Sequence, residues 1–317
     1  MERVRFVSYP FSMNAQAQTD LLRADCDICG STGARELYRA KDRLGNSDEY
    51  FTIAECAGCG VLRTLPVMDE RELARYYPSE YWGEASEPSE DWIRRSQAEK
   101  IDFLSRCYPE GGRILDVGCG SGFFLRALDC RRWEPFGIEI SEAAARAANR
   151  ALGQGRVFKG TLIESACEDS YFDVLTFWSS LEHTNEPRSN LVEARRIIKR
   201  GGTLIVQVPN AASYQARAFC GDWFALDAPR HRYHFTPQVL ARLLREARFE
   251  IYQTTFFSRT HNSHALRQSL KQRLVGDPPS AAGKTLFLLT IPFIKPFDWL
   301  MSAQGKGATV TVAARAI

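Results

Sequence analysis

From Arg113 onward the chain alternates short apolar runs with helix-like segments, and that rhythm restricts the fold more than any other feature. The runs are RILDV (113–117), PFGIEI (135–140), FDVLTFW (172–178) and TLIVQVP (203–209). Between them, SEAAARAANRAL carries Ser141 as an N-cap and Gly153 as a stop, and RSNLVEARRIIKR sets Leu191, Ala194 and Ile198 on one face. Strands that are apolar throughout need cover on both faces, and the intervening helices supply it. The expected fold class is therefore α/β, a doubly wound and mostly parallel sheet. Further on, TPQVLARLLREARFEIYQTTFF adds a helix and a strand, and GATVTVAARA (307–316) reads as a last strand at the sheet edge.

The N-terminal part follows another logic. CDICG and CAGCG place Cys26, Cys29, Cys56 and Cys59 in two Cys-x-x-Cys knuckles. Four thiolates make a closed tetrahedral set suited to zinc and leave no position for a catalytic water, so the expected zinc is structural. A glycine follows each knuckle and permits the tight backbone turn. The 26 residues between the pairs have room for a hairpin, and YFTIAEC, leading into the second knuckle, alternates like a strand. Nine cysteines with no secretory pattern in MERVRFVSYPFSMNAQAQTD indicate a reducing compartment, and the cytoplasm is the expected location. The expected organisation is a zinc-ribbon-like module over 1–75, a linker or docking segment over 76–94, and the sheet domain over 95–317. A substrate-side insertion occupies about 258–306.

The loop after the first strand of that domain, LDVGCGSGFF, spaces Gly118, Gly120 and Gly122 at alternate positions. Glycines at a strand-to-helix turn let backbone approach a ligand closely, and ligands of open α/β sheets sit at the carboxyl ends of the strands. A dinucleotide fingerprint wants a glycine where Phe123 stands. Asp116, two residues before the first glycine, would repel a pyrophosphate but suits a neighbouring ammonium or sulfonium. Glu139 ends the second strand, where a carboxylate can accept hydrogen bonds from two ribose hydroxyls.

With these residues the sequence resembles the class I S-adenosylmethionine-dependent methyltransferases. LDVGCGSGFF is similar to their first motif and GIEIS to their ribose-binding acid. FDVLTFWSSLEHTNEP is similar to the segment around their fourth strand, and IIKRGGTLIVQVPN to the helix-turn-strand that follows. The resemblance implies a Rossmann-like fold with S-adenosylmethionine as cofactor. It implies cofactor contacts from Asp116, Gly118, Cys119, Gly120, Gly122, Phe123, Glu139, Ile140 and Trp178. Relatives place an acid after the third strand to reach the adenine amino group; FKGTLIES offers Thr161 there, followed by Leu162. Zinc-knuckle extensions also look like those of some sugar C-methyltransferases and of a ribosomal-RNA guanine methyltransferase.

Methyl transfer from a sulfonium needs an aligned acceptor and, for a hydroxyl, a base. Candidates are Glu182 and His183 in LEHTNEP, and His231, Tyr233 and His234 in APRHRYHFTP. Quinone-pathway O-methyltransferases carry Glu-x-x-Glu-His at the first of these places and hold a divalent ion with it; Ser179 replaces the first acid here, which argues against a catalytic metal. An Asp/Asn-Pro-Pro-Tyr signature of amino methylation is missing, so a hydroxyl on a small molecule or glycan is the expected acceptor. Carbon methylation of a sugar, RNA methylation and a catalytically silent binding protein are the alternatives. A net charge of +3 without a dense basic run argues against a nucleic-acid partner. Finally, TLFLLTIPFIKPFDWLM (285–301) is short for a span and broken by Pro292 and Pro296. It reads as helices covering a sheet edge or subunit interface. Its second reading is peripheral contact with the inner membrane face, with Phe297, Trp299 and Leu300 buried and Lys284 and Lys295 toward head groups, which would suit a lipid-linked acceptor.

Overall fold

The computed structural model describes residues 22–23, 25–42, 44, 49–77, 88–275 and 280–317. A seven-stranded sheet forms its centre. Chain order gives β4 (Gly112–Val117), β5 (Trp133–Glu139), β6 (Val157–Lys159), β7 (Phe172–Trp178), β8 (Ile198–Pro209), β10 (Phe249–Thr255) and β11 (Thr309–Ala316). Spatial order is β10-β11-β8-β7-β4-β5-β6. β4 through β8 pair in parallel, and β11 runs antiparallel to both β8 and β10. The last strand is thus not an edge strand, as its position at the end of the chain had led us to expect. Its side chains are buried on both faces, from Thr309 through Ala314, which only an interior strand allows.

Helices cover the two faces as the periodicity requires. α2 (Glu90–Cys107), α3 (Phe123–Arg126) and α4 (Glu142–Leu152) close one side, α5 (Pro187–Ile197) and α7 (Pro237–Glu246) the other. The caps behave as read: Ser141 accepts from the Ala144 amide, and Gly153 takes φ +109 at the stop. α5 ends earlier than its sequence pattern, because Ile198 already enters β8. α2 begins at Glu90, so the last residues of the expected linker form its first turn; residues 78–87 of that linker lie outside the described ones.

The N-terminal module is built on the hairpin of β1 (Ala34–Lys41) and β2 (Tyr50–Cys56), extended by β3 (Leu62–Leu65) and followed by a short α1 (Glu70–Ala74). Its fourth strand comes from far along the chain. β9 (Tyr233–His234) pairs antiparallel with β3, Leu62 opposite His234. Cys26, Cys56 and Cys59 also share a core with Phe235, Val239 and Leu240 of the sheet domain. Module and domain are therefore one packed body. α6 (Tyr214–Phe219), α8 (His261–Val275) and α9 (Ala281–Ala303) flank this seam. Pro292 and Pro296 do not break α9, contrary to the reading of a broken segment. Both rings lie on its exposed side, where the carbonyls that lose a partner can reach solvent.

Candidate functional site

Parallel strands on either side of β4 diverge in connection, and the crevice beyond their carboxyl ends holds the glycine loop. The Gly118 and Cys119 amides both donate to the Ile138 carbonyl, which ties the loop to the neighbouring strand. Gly118 has φ +77, and a Cβ there would stand 2.6 Å from Cβ of Ser180. Only glycine fits that place. Glu139 is buried and accepts from the Gly120 amide at 2.9 Å and the Ser141 amide at 2.7 Å. Burial pushes its carboxyl up, and those two amides work against the rise. Each oxygen keeps a lone pair for a ribose hydroxyl.

Asp116 accepts from Thr176 Oγ1 at 2.7 Å and is buried. Burial pushes its pKa up to about 7, although Lys100 and Thr176 favour the ionised form. Burial outweighs those two, and a bound cation beside the carboxyl would favour its ionised form further. Ile140 is exposed beside Glu139, while Cys119 and Leu162 are buried. Gly122 caps α3 in the left-handed region, and Phe123 meets Trp92 edge-on. Thr161 follows β6 as read, and its hydroxyl donates to Glu164 Oε2 at 2.9 Å. An acid, Glu164, is thus present after the third domain strand, three residues later than expected. Trp178 ends β7 with its indole N–H unpaired, under Lys100, in a cavity of about 210 Å³ shared with Gln207 and Thr311. These groups fit S-adenosylmethionine: a ribose acceptor, a buried carboxylate whose ionised form a cation would favour, and backbone that admits close approach.

The second cluster lies just past β7. Ser179, with φ +54, turns the chain into a 3-10 turn, Leu181–His183. Glu182 is fully buried, neither carboxyl oxygen has a hydrogen-bond partner, and burial raises its pKa to about 8. His183 and His231 stack edge to face at 4.6 Å between ring centroids. Burial lowers His183 to about 3, with His231 adding to the effect, and lowers His231 to about 4. Both are neutral at pH 7. His231 Nδ1 lies 3.1 Å from the Ala225 carbonyl, so Nδ1 carries the proton and Nε2 is the free base. That Nε2 is 3.9 Å from Asp227 Oδ2. His183 Nδ1 likewise faces the Arg230 carbonyl at 3.1 Å, with Tyr77 Oη at 3.3 Å.

The remaining candidates face elsewhere. His234 Nε2 is 2.9 Å from Thr64 Oγ1, whose own proton goes to the His231 carbonyl, so His234 donates into the seam. Tyr233 donates to Asp27 at 2.7 Å and to the Asn185 carbonyl. Adjacent strand residues point to opposite sides, so Tyr233 and His234 do not act on one ligand. The structure adds residues that the sequence reading missed. Asp227 holds Arg230, which is fully buried and also bonds Asp42 of the module at 2.9 Å. Burial works against ionisation of Asp227, but His231 and Arg230 bring its pKa below the ordinary value. The four-residue spacing of Asp227 and His231 in DAPRH was the available signal.

Among the described residues, two donor sets can hold metal. Sγ atoms of Cys26 and Cys59 stand 3.7 Å apart, and those of Cys29 and Cys56 3.6 Å. Thiolates ~2.3 Å from a tetrahedral zinc would stand ~3.8 Å apart, so the set fits. The Cys59 thiol donating to Cys26 draws the latter down to about 4. Gly30 and Gly60 have φ +71 and +72, as the knuckle turns require. The second set is Glu182, His183 and His231, whose ligand-capable atoms lie within 4.8 Å of one another.

The methyltransferase domain family matches residues 90–254. The ubiquinone biosynthesis O-methyltransferase of Thiobacillus denitrificans is 30% identical over 156 residues, 46% of this chain and 67% of that protein. Its namesake from Alkalilimnicola ehrlichii is 31% identical over 118 residues, 35% of this chain and 48% of that protein. The chain thus spans about half to two thirds of these relatives. A SAM-dependent methyltransferase structure from Thermotoga maritima is 23% identical with a TM-score of 0.47, covering 71% of this chain and 92% of that one.

Proposed function

The chain belongs to the methyltransferase domain family, and from that premise we propose that it methylates a hydroxyl oxygen of a small-molecule acceptor in a biosynthetic pathway. Sugars and lipid-linked glycans fall within that acceptor class. When bound, S-adenosylmethionine supplies a methyl group activated by a sulfonium. Glu139 would hold the ribose, Asp116 would provide the anionic field, and Ile140 with Leu162 and Thr161 would border the adenine. The Cys26, Cys29, Cys56 and Cys59 set holds a structural zinc, which keeps the module's turns fixed and is compatible with the reducing cytoplasm.

His231 is the base in this reading. The acceptor hydroxyl gives its proton to His231 Nε2, which leaves its oxygen able to take the methyl group that S-adenosylmethionine would supply. Asp227 stabilises the imidazolium that results, and Arg230 keeps Asp227 in place. Glu182 remains protonated at neutral pH and can donate a hydrogen bond to the acceptor. His183 buttresses the His231 ring. Tyr233 and His234 join the module to the domain and act through position.

The observation that carries the oxygen assignment is the His231–Asp227 pair packed against His183 in the turn past β7. The test offers methyl-deuterated S-adenosylmethionine with catechols, hydroquinols and sugar nucleotides, and locates the label by NMR. Label on oxygen is expected. Label on carbon would replace this reading with carbon methylation, and cofactor binding without any product would favour a silent binding protein.

A further inference from the structure

A helix on a water-exposed surface shows polar residues on its outer side. α9 reverses that rule. Its inner side, with Gly283, Phe287, Ile294, Asp298 and Ser302, is buried against α8 and the seam. The outer side presents Leu288 (61% exposed), Leu289 (64%), Phe293 (70%) and Trp299 (65%), with Leu286 and Leu300 beside them. One contiguous apolar stripe of this kind marks a contact surface.

Charge then selects the occupant. Residues 258–306 contain seven Lys/Arg and two Asp/Glu, a net +5 in a chain whose total is +3. Among the described residues of this segment the one acid, Asp298, is buried. Lys284 and Lys295 are exposed and eleven residues apart, three helical turns, so both flank the same side of the stripe. Arg267, Lys271 and Arg273 are exposed on α8. A second copy meeting this face would bring two segments of like charge together. An anionic surface would not.

We infer that the outer face of α9 docks on an anionic lipid bilayer, lying along its surface. Length and composition would let α9 cross a membrane. Its packed inner side and its short connection to β11 in the central sheet instead hold it against the protein. In the docked state Phe293, Trp299 and Leu289 enter the acyl boundary while Lys284 and Lys295 meet phosphates. This inference is independent of the reaction assigned above.

The experiment is cosedimentation of the full chain with phosphatidylcholine vesicles, alone or with about one third phosphatidylglycerol. Wild type is expected on the phosphatidylglycerol vesicles at low salt and is released by salt. Phe293→Asp with Trp299→Asp should weaken partitioning on the order of a hundredfold. Lys284→Glu with Lys295→Glu should weaken it on the order of tenfold or more. Both variants should keep wild-type cofactor affinity by calorimetry, which shows that they fold. Wild type that ignores both vesicle types overturns the inference, as does unchanged partitioning of the Phe293/Trp299 variant. So does a wild-type dimer that this variant turns into a monomer, since the face would then join two copies.

Discussion

Cofactor affinity should depend on pH through Asp116. This carboxyl is 3% exposed, and burial raises its pKa to about 7 from an ordinary 3.8. A cationic ligand needs the ionised form, so below pH 7 each molecule must first lose a proton. Apparent affinity then falls about tenfold per pH unit, or roughly tenfold between pH 8 and pH 6. Stability of the free protein moves the other way. The folded state holds this proton more tightly than the unfolded chain, so the contribution is fully present below about pH 4 and is lost as pH rises through about 7. The span is worth at most on the order of 4 kcal/mol. Asp116→Asn removes both dependences: cofactor binding becomes weak and flat with pH, and the free variant gains thermal stability at pH 8 relative to wild type. Titration calorimetry with S-adenosylmethionine from pH 6 to 8, beside thermal melts, checks both. A flat wild-type profile, or an Asn variant that keeps the slope, would refute the assignment of Asp116 as the carboxylate that senses cation.

Three further outcomes follow from the same geometry. His231→Ala should cut turnover by about 10²–10⁴ while leaving cofactor affinity within a factor of a few, and Asp227→Asn should give a smaller loss of the same kind, measured as kcat against calorimetric Kd. Metal analysis should find zinc in wild type and none bound by the module in Cys26→Ser/Cys59→Ser, with a lowered Tm; zinc at the wild-type level in that variant would place the metal at Glu182, His183 and His231 instead. His183, His231 and His234 have folded pKa values of about 3 to 4, below the ordinary 6.5. Their contribution to stability is therefore full above pH 6.5 and is lost as pH falls toward 4, so Tm should drop across that window and drop less in His234→Gln.

The Asp42–Arg230–Asp227 network explains why the module matters to the site. Arg230 is fully buried and shared by Asp42 and Asp227, and losing Arg230 would remove the cation that both buried carboxylates share, which costs about 3–5 kcal/mol. Asp42 belongs to the N-terminal module, while Asp227 adjoins His231, the proposed base. Zinc bound at the four cysteines would therefore bear on where His231 sits, through Arg230 and through the β3–β9 pairing.

The features legible in the amino-acid order alone were those set by short-range physics. Alternation of apolar strands and helices gave the layered sheet. Cys-x-x-Cys-Gly gave the knuckles, and the three glycines between Asp116 and Glu139 gave the turn at the carboxyl end of β4, because turn chemistry and strand period act over a few residues. The tertiary structure alone decided which histidine meets a carboxylate, that His234 serves the seam, that β11 runs inside the sheet, and that no described element packs on the outer face of α9. Each of those depends on segments far apart in the chain meeting side by side, as Thr64 meets His234 and Asp42 meets Arg230. Spacing along the chain carries no term for such encounters, and only the packing of the whole core fixes them.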